Sequence, residues 1–133
     1  MASYLNIKQN IGNIEVGHIH YSPLMQKKTI GTEAMYLMMK RVFDELGYRR
    51  YEWKCDSLNR RSCKAAKRFG FTFEGVFKQH NIVKGHNRDT AWFSIIDKDW
   101  QRIKNNYEIW LNEANFDEKG KQKTSLTSLM LKT

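Results

Sequence analysis

The strongest constraint on the fold is a change in apolar spacing between residues 35 and 56. Apolar residues in the first part lie three and four positions apart, which gives a helix one apolar face: Met35, Met38, Met39, Val42, Phe43 and Leu46. Gly47 follows, and glycine is common just beyond a helix end. From Arg49 to Asp56 apolar residues occupy alternate positions, as in a strand with one buried face. A helix followed by a half-buried strand predicts helices packed on a sheet.

Shorter patterns extend this reading to a full order of elements. Two β-prone runs, Ser3 to Ile7 and Asn13 to Tyr21, flank a turn-forming Asn-Ile-Gly-Asn and predict an antiparallel hairpin. A second helix fits Asn59 to Phe69, between an N-capping asparagine and Gly70. The remaining predicted elements are strands at Phe71 to Val83 and Asp89 to Ile96 and a helix at Asp99 to Asn112. The sequence therefore predicts an α/β (α+β) domain with a mixed sheet in the order β-β-α-β-α-β-β-α.

The length of 133 residues predicts one domain, which we place at residues 1–114. We expect Asn115 to Thr133 to be a basic tail that is mobile or only loosely docked. The formal net charge of +9 favours polyanions such as nucleic acids, acidic membranes or phosphorylated cofactors. No run approaches the roughly 20 apolar residues that span a bilayer. Cys55 and Cys63 are too few for a disulfide framework, so we expect free thiols and a cytoplasmic location.

A basic stretch of small residues precedes the first helix, Gln26-Lys27-Lys28-Thr29-Ile30-Gly31-Thr32. A helix start has unpaired N–H groups and a partial positive charge, which suit an anion such as a phosphate. Every helix has such an end, so the alternative is an ordinary helix start with solvated lysines.

Three motifs in this order resemble the Gcn5-related N-acetyltransferase (GNAT) superfamily: Q-K-K-T-I-G, N-R-R-S at Asn59, and G-F-T-F-E-G at Gly70 to Gly75. The nearest likeness is to the branch related to the ribosomal-protein N-terminal acetyltransferases, in which runs such as I-E-V-G-H-I, E-W-K-C and R-D-T-A-W-F-S-I recur. The resemblance covers about Ala2 to Trp100 and implies a mostly antiparallel sheet flanked by helices. Members of the family begin with a strand, two helices and a strand before the point that resembles Ala2. The resemblance thus predicts an N-terminally truncated domain, whose exposed sheet edge a second copy could cover as a homodimer.

The resemblance implies acetyl-coenzyme A as cofactor, coenzyme A as product, and no metal. The loop that resembles Gln26 to Gly31 wraps the cofactor diphosphate, which gives these binding candidates: Gln26, Lys27, Lys28, Thr29, Gly31 and Thr32. Thr29 stands where the family pattern has glycine, and its Cβ narrows the loop. The strand resembling Asn13 to Ser22 diverges from the one resembling Arg49 to Asp56. The pantetheine arm enters that gap, held by backbone around His18, Ile19 and His20 and by Asn59.

For catalysis, Glu15 matches a position where family members often carry a carboxylate that draws a proton from the amine, usually through water. The alternative is an exposed strand glutamate. Ser62 aligns with a serine used near the cofactor sulfur, and the alternative for Ser62 and Asn59 is helix capping. Many members have a tyrosine acid where this chain has Ala66, but a thiolate with a pKa of about 8.5 leaves without much help. Basic residues of the second helix could meet the 3′-phosphate of the cofactor or form a solvated face: Arg60, Arg61, Lys64 and Lys67.

The leading hypothesis is therefore an acetyl-coenzyme A-dependent N-acetyltransferase whose acceptor, a protein N-terminus or a small amine, attacks the thioester directly. The second hypothesis is a catalytically silent acetyl-coenzyme A-binding or protein-interaction module. A nucleic-acid binder is a third, but it rests on charge alone, since the sequence has no recognised motif for it. His18 and His20 share a strand face, and no His, Cys and Asp spacing fits zinc.

Overall fold

The computed structural model describes residues 3–17, 29–83 and 86–133. Its strands are β1 (Ser3–Lys8), β2 (Asn13–Gly17), β3 (Arg50–Asp56), β4 (Thr72–Val83) and β5 (His86–Ile96). Its helices are α1 (Thr29–Lys40), α2 (Arg60–Arg68), α3 (Asp97–Leu111) and α4 (Leu126–Lys132). A π-helical turn at Arg41–Glu45 extends α1, and a 3-10 turn at Glu113–Asn115 follows α3.

The five strands form one sheet in the order β1-β2-β3-β5-β4. All neighbours are antiparallel except β2 and β3, which are parallel. The predicted class, a mixed and mostly antiparallel sheet flanked by helices, is confirmed. The parallel pair is joined through α1, as parallel strands require a crossover connection.

The core lies between the helices and one face of the sheet. The alternation read in β3 holds, because Tyr51, Trp53 and Cys55 are buried. They belong to one cluster with apolar side chains from all four helices, including Met35 of α1 and Ile103 of α3. The other face of β3 carries Arg50, Glu52 and Lys54. The described helices therefore pack on one face of the sheet, and a charged strip marks the opposite face.

Several element boundaries differ from the sequence prediction. The β5 strand begins at His86 rather than Asp89, since pairing with β4 continues to Val83 and His86 and overrides the turn-like composition. Helix α3 starts two residues before its predicted beginning at Asp99, with Ile96 as its N-cap. The predicted end of β2 at Tyr21 lies outside the described residues.

The C-terminal segment differs from the expected mobile tail. Leu126 of α4 is 0% exposed and belongs to the core cluster. The side-chain amide of Asn115 donates to the carbonyls of Trp110 (3.1 Å) and Thr124 (3.0 Å) and accepts from the Thr124 N–H (3.0 Å). Ser125 caps α4 by accepting from the Ser128 N–H. The segment is thus anchored by buried apolar and amide groups that its basic composition concealed.

Candidate active site

The described pairing of the two parallel strands ends partway along β3, and we call the edge of β3 beyond this point, which has no described partner, the strand gap. The strands pair from Asn13 with Arg50 to Glu15 with Glu52, and no described pair follows. Yet β3 continues to Asp56, and its other edge stays paired with β5 through Asp56 and Thr90. In the second half of β3, the backbone groups on the edge away from β5 therefore have no described strand partner. A polar extended group has hydrogen-bonding positions at such a gap.

Glu15 occupies the last position of β2 that is described as paired with β3, and its exposed fraction is 3%. The exposed strand glutamate considered from sequence is therefore wrong. Its Oε1 accepts from Asn6 Nδ2 at 2.6 Å and lies 3.4 Å from Lys54 Nζ. Buried carboxylates require such partners, because charge loses its hydration on burial. The site holds a carboxylate at the mouth of the gap, on the strand face opposite the helices.

A bulge in β1 brings Asn6 to this carboxylate. Between Leu5 and Lys8 the register with β2 gains one residue, and Asn6 adopts a left-handed φ of 48°. Asparagine tolerates this conformation better than most residues. Bulges re-aim side chains beside functional sites, as this one does.

A second polar group continues along the same face of the sheet. Arg50 Nε donates to Glu52 Oε2 at 3.0 Å, and its terminal nitrogens both donate to the Glu74 carboxylate. The hydrogen bonds to Arg50 lower the pKa of Glu74, and those to Glu74 and Glu52 raise the pKa of Arg50. The Arg50 guanidinium therefore forms ion pairs with two carboxylates, Glu52 and Glu74, beside Glu15.

Aromatic side chains border this charged group. Phe77 and Trp92 have ring centroids 5.0 Å apart, and Lys54 Nζ lies 5.3 Å from the Trp92 centroid. The two aromatic rings line a cavity of about 280 Å³ together with Arg50, Glu52, Glu74 and Gly75. The cavity can receive a group that combines an apolar part with a cationic or hydrogen-bonding part.

On the helix face of β3, Ser62 lies in the first turn of α2. Its Oγ accepts from Trp53 Nε1 at 3.2 Å, and its backbone N–H donates to Asn59 Oδ1 at 3.1 Å. The N-cap reading of Asn59 is confirmed. The indole uses an acceptor position of Ser62 Oγ, and the hydroxyl also hydrogen-bonds to the thiol of Cys55. Glu15 and Ser62 thus belong to opposite faces of the sheet.

Cys55 and Cys63 complete this helix-side cluster. Their sulfurs are 3.6 Å apart and both thiols are free. Burial is the largest cause that raises the pKa of Cys55 to about 11, and Ser62 opposes it by hydrogen bonding. The expected free thiols are confirmed, Cys55 is buried in the core, and a neutral thiol is a poor nucleophile.

The first turn of α1 begins at Thr29, so the predicted loop from Gln26 to Gly31 overlaps the helix. Gly31 and Thr32 are buried, whereas Thr29 is exposed. Arg68 Nη1, at the end of α2, donates to Thr32 Oγ1 at 3.0 Å. The structure thus joins the start of α1 to the end of α2 through a basic side chain. Thr29 is the first described residue of α1, and the rest of the predicted loop, Gln26 to Lys28, lies outside the described residues.

Of the predicted site residues, the structure places Glu15 beside the strand gap, Asn59 and Ser62 at the start of α2, and Thr29, Gly31 and Thr32 at the start of α1. Six others lie outside the described residues: His18, Ile19, His20, Gln26, Lys27 and Lys28. Sequence reasoning missed Asn6, Lys54 and Arg68 as neighbours of the site. The strand alternation placed Lys54 on the polar face, but it had no signal for the bulge at Asn6 or the approach of Arg68.

No group of three or more metal-ligating side chains is found in the part of the chain that the structure describes. None of the described helices is long and apolar enough to cross a membrane.

Comparisons with solved structures give three informative neighbours. A GCN5-related N-acetyltransferase from Brucella melitensis is 49% identical, with a TM-score of 0.93 over 97% of this chain and 58% of that one. A probable GNAT-family acetyltransferase from Chromobacterium violaceum is 48% identical, with a TM-score of 0.73 over 75% of this chain and 50% of that one. A Thermus thermophilus protein described as a putative acetyltransferase is 26% identical, with a TM-score of 0.75 over 84% and 59%. This chain therefore spans less than two thirds of each neighbour.

A comparison with curated proteins finds no match. The family model described as an acetyltransferase (GNAT) domain matches residues 1–72, more than half of the chain. That match includes β1, β2, α1, β3 and α2, the elements that build the strand gap and both helix starts. By this match, and by the shared fold of its neighbours, the chain belongs to the GNAT acetyltransferase domain family.

Proposed function

We propose that this chain is an acetyl-coenzyme A-dependent N-acetyltransferase that moves an acetyl group to a primary amine by direct attack on the thioester. The observation that carries the proposal is the edge of β3 beyond Glu52, which has no described strand partner, with Glu15 on one face of the sheet and Ser62 on the other. An acyl donor between the strands would have a base toward the acceptor and a proton donor toward its sulfur.

Bound acetyl-coenzyme A supplies an activated acetyl thioester. Glu15 takes a proton from the incoming ammonium, directly or through water, so that the nitrogen lone pair can form the new N–C bond as the C–S bond breaks. Asn6 and Lys54 hold the carboxylate in place. The Ser62 hydroxyl, already accepting from Trp53, donates toward the departing sulfur.

The chemistry of the residues present fits the acetyl donor, acetyl-coenzyme A. The edge of β3 at the strand gap provides backbone partners for an extended amide chain. The exposed start of α1, at Thr29, provides N–H groups and dipole for a diphosphate. We propose Thr29, Gly31 and Thr32 as diphosphate contacts. Gln26, Lys27, Lys28 and the backbone of His18 to His20 remain predictions from the resemblance.

The acceptor would lie on the sheet face that carries Glu15 and the cavity at Phe77 and Trp92. A primary ammonium suits the carboxylates of Glu52 and Glu74, and the aromatic rings suit an apolar stem. We therefore propose a protein N-terminus or a small amine. This choice agrees with the proposed branch, that of the ribosomal-protein N-terminal acetyltransferases.

The cofactor half of the proposal is tested by titrating acetyl-coenzyme A calorimetrically into the parent chain and two Thr29 variants. Thr29→Asp adds a negative charge to an exposed first-turn position where acidic residues suit helices, so the fold is preserved. Thr29→Asn is the uncharged match. We expect micromolar binding to the parent and Thr29→Asn and at least tenfold weaker binding to Thr29→Asp, since like charge opposes the diphosphate. An equal effect of both variants would contradict diphosphate binding at this turn.

The catalytic half is tested by acetylation of a panel of amines and N-terminal peptides. Glu15→Gln should lower kcat by about 10² to 10⁴, the usual contribution of a general base, without lowering acetyl-coenzyme A affinity. An unchanged kcat would remove Glu15 from the mechanism.

The second candidate is a silent acetyl-coenzyme A-binding or interaction module. It is favoured by one observation, that the described helices all pack on the face opposite Glu15 and leave the proposed acceptor side without a helical wall. Calorimetric binding without turnover of any amine in the panel would support this candidate.

We also propose a cytoplasmic homodimer. The edge strand β1 has β2 as its described sheet partner, and a second copy could pair along its other side. Light scattering should show a concentration-dependent dimer, and a strict monomer at high concentration would contradict it.

A further inference from the structure

A second and larger cavity lies away from the strand gap, where three helices and the C-terminal segment meet. Its volume is about 840 Å³, and its lining includes Thr29 from α1, Arg68 from α2, Trp110 from α3, and Phe116 and Lys121 from the C-terminal segment. Thr29 therefore borders both the proposed diphosphate position and this cavity, which we call the Arg68 cleft.

Arg68 is the most informative residue of the cleft, because its charge is half-buried and lacks a described counter-ion. Its guanidinium carbon lies 5.5 Å from the Phe69 ring centroid and 5.4 Å from that of Trp110. Burial lowers the pKa of Arg68, with Tyr107 opposing the shift. Among the described residues, no carboxylate lies within 4 Å of it, whereas Arg50 and Lys54 have such partners.

A half-buried guanidinium without a counter-ion is an unfavourable arrangement unless an anion completes it. Its one described hydrogen bond goes to Thr32 Oγ1, and a guanidinium has five N–H donors. The remaining donors of the planar guanidinium can bind two oxygens of a phosphate at once, a geometry that favours arginine over lysine.

The rest of the cleft adds a second cation and an aromatic wall. Trp110 is buried and packs against Phe116 with their ring centroids 5.4 Å apart. Trp110 Nε1 donates to Gln122 Oε1 at 2.9 Å, which holds the 116–122 segment against α3. Asp117 Oδ1 accepts from the Lys121 N–H at 2.9 Å, so the nearby carboxylate is turned to the backbone. The exposed Lys121 is left at the rim of the cleft.

We propose that the Arg68 cleft binds the adenosine 3′-phosphate end of coenzyme A, with Arg68 and Lys121 at the phosphate and Phe116 at the nucleoside. The inference rests on the proposed function, because it places the nucleotide end of the donor beside its diphosphate. It assigns the docked C-terminal segment a direct part in cofactor binding. It also moves the phosphate contacts from Lys64 and Lys67, which line a neighbouring cavity that shares Arg68, to the Arg68 cleft.

The test compares coenzyme A with 3′-dephospho-coenzyme A by calorimetry at fixed, moderate ionic strength. The two ligands share the diphosphate and the pantetheine arm and differ in the 3′-phosphate alone. The parent chain should bind coenzyme A at least tenfold more tightly than the dephospho form. Lys121→Ala should weaken coenzyme A binding about fivefold to tenfold and leave dephospho-coenzyme A binding unchanged.

Lys123→Ala is the matched control, because it removes the same charge from an exposed position of the same segment and does not line the cleft. It should change neither affinity. Arg68→Lys keeps the charge but loses the planar fork, and it should lower coenzyme A affinity with no loss of helical circular dichroism.

Equal parent affinities for the two ligands would overturn the cleft assignment. So would equal effects of Lys121→Ala and Lys123→Ala. In both cases the proposed function would stand if Thr29→Asp still abolished acetyl-coenzyme A binding. Absence of binding to either ligand by the parent chain would overturn both proposals.

Discussion

The hydrogen bond between Asn6 and Glu15 can be tested by removing its two components in turn. Asn6 contributes its amide donor to a buried carboxylate and also accepts a left-handed φ of 48°. Asn6→Gly removes the donor but keeps the conformational tolerance. Asn6→Ala removes the donor and adds the strain of a Cβ in the left-handed region.

The expected loss follows from these two contributions. A hydrogen bond to a charged group contributes about 1.5–3 kcal/mol, and left-handed strain in Ala costs about 1–2 kcal/mol. Glycine instead gives the unfolded chain extra freedom, which costs about 0.4–1 kcal/mol. Because Asn6 itself is exposed, we take the lower values. Asn6→Ala should lower the free energy of unfolding by about 2.5 kcal/mol and Asn6→Gly by about 2 kcal/mol.

Urea unfolding at pH 7, followed by tryptophan fluorescence, measures both losses. Asn10→Ala, in the exposed turn of the same hairpin, is the control and should change the unfolding free energy by less than about 0.5 kcal/mol. Unchanged midpoints for both Asn6 variants would refute the contact between Asn6 and the buried carboxylate. A larger loss of unfolding free energy for Asn6→Gly than for Asn6→Ala would refute the left-handed conformation of Asn6.

The remaining predictions concern the core, the thiols and a helix cap. Leu126→Ala should lower the free energy of unfolding by about 2–5 kcal/mol in urea titrations, whereas Leu131→Ala, at a side chain 83% exposed, should have almost no effect; equal effects would mean that α4 is not docked. Burial raises the pKa of Cys55 to about 11, so iodoacetamide at pH 8 should label Cys63 first by mass spectrometry, and faster labelling of Cys55 would contradict its burial. The raised pKa also means that the stability due to neutral Cys55 is complete below about pH 9 and declines as the pH rises toward 11, which unfolding at graded pH would show. Asn59→Ala should cost about 1 kcal/mol through loss of the N-cap, and an unchanged unfolding curve would refute that cap.

Much of the fold was accessible from local patterns. The amphipathic spacing before Gly47 and the alternation around Trp53 each gave the correct element, because burial of one face imposes a period of 3.6 or 2 on the sequence. Asn59 identified the start of α2 for an equally local reason, since its side chain caps the helix. The class of fold followed from these features, whereas the family resemblance rested on the motifs Q-K-K-T-I-G, N-R-R-S and G-F-T-F-E-G.

The C-terminal segment shows where local reading failed. Its lysines suggested a mobile tail, but Leu126 and Asn115 anchor it through contacts with α3 and with the core. Those contacts are made by a few residues spread over a polar stretch, so composition averages them away.

The sequence by itself determined β1 to β5 and α1 to α3, the one-sided apolar pattern of β3, and, through the family resemblance, the choice of Glu15 and Ser62 as catalytic candidates. Only the tertiary structure decided what surrounds them: the bulge that turns Asn6 toward Glu15, the ion pair with Lys54, and the half-buried guanidinium of Arg68. The physical reason is that periodicity records which face of an element is buried. Pairings between residues distant in the chain depend instead on register and strand separation, which no local pattern encodes.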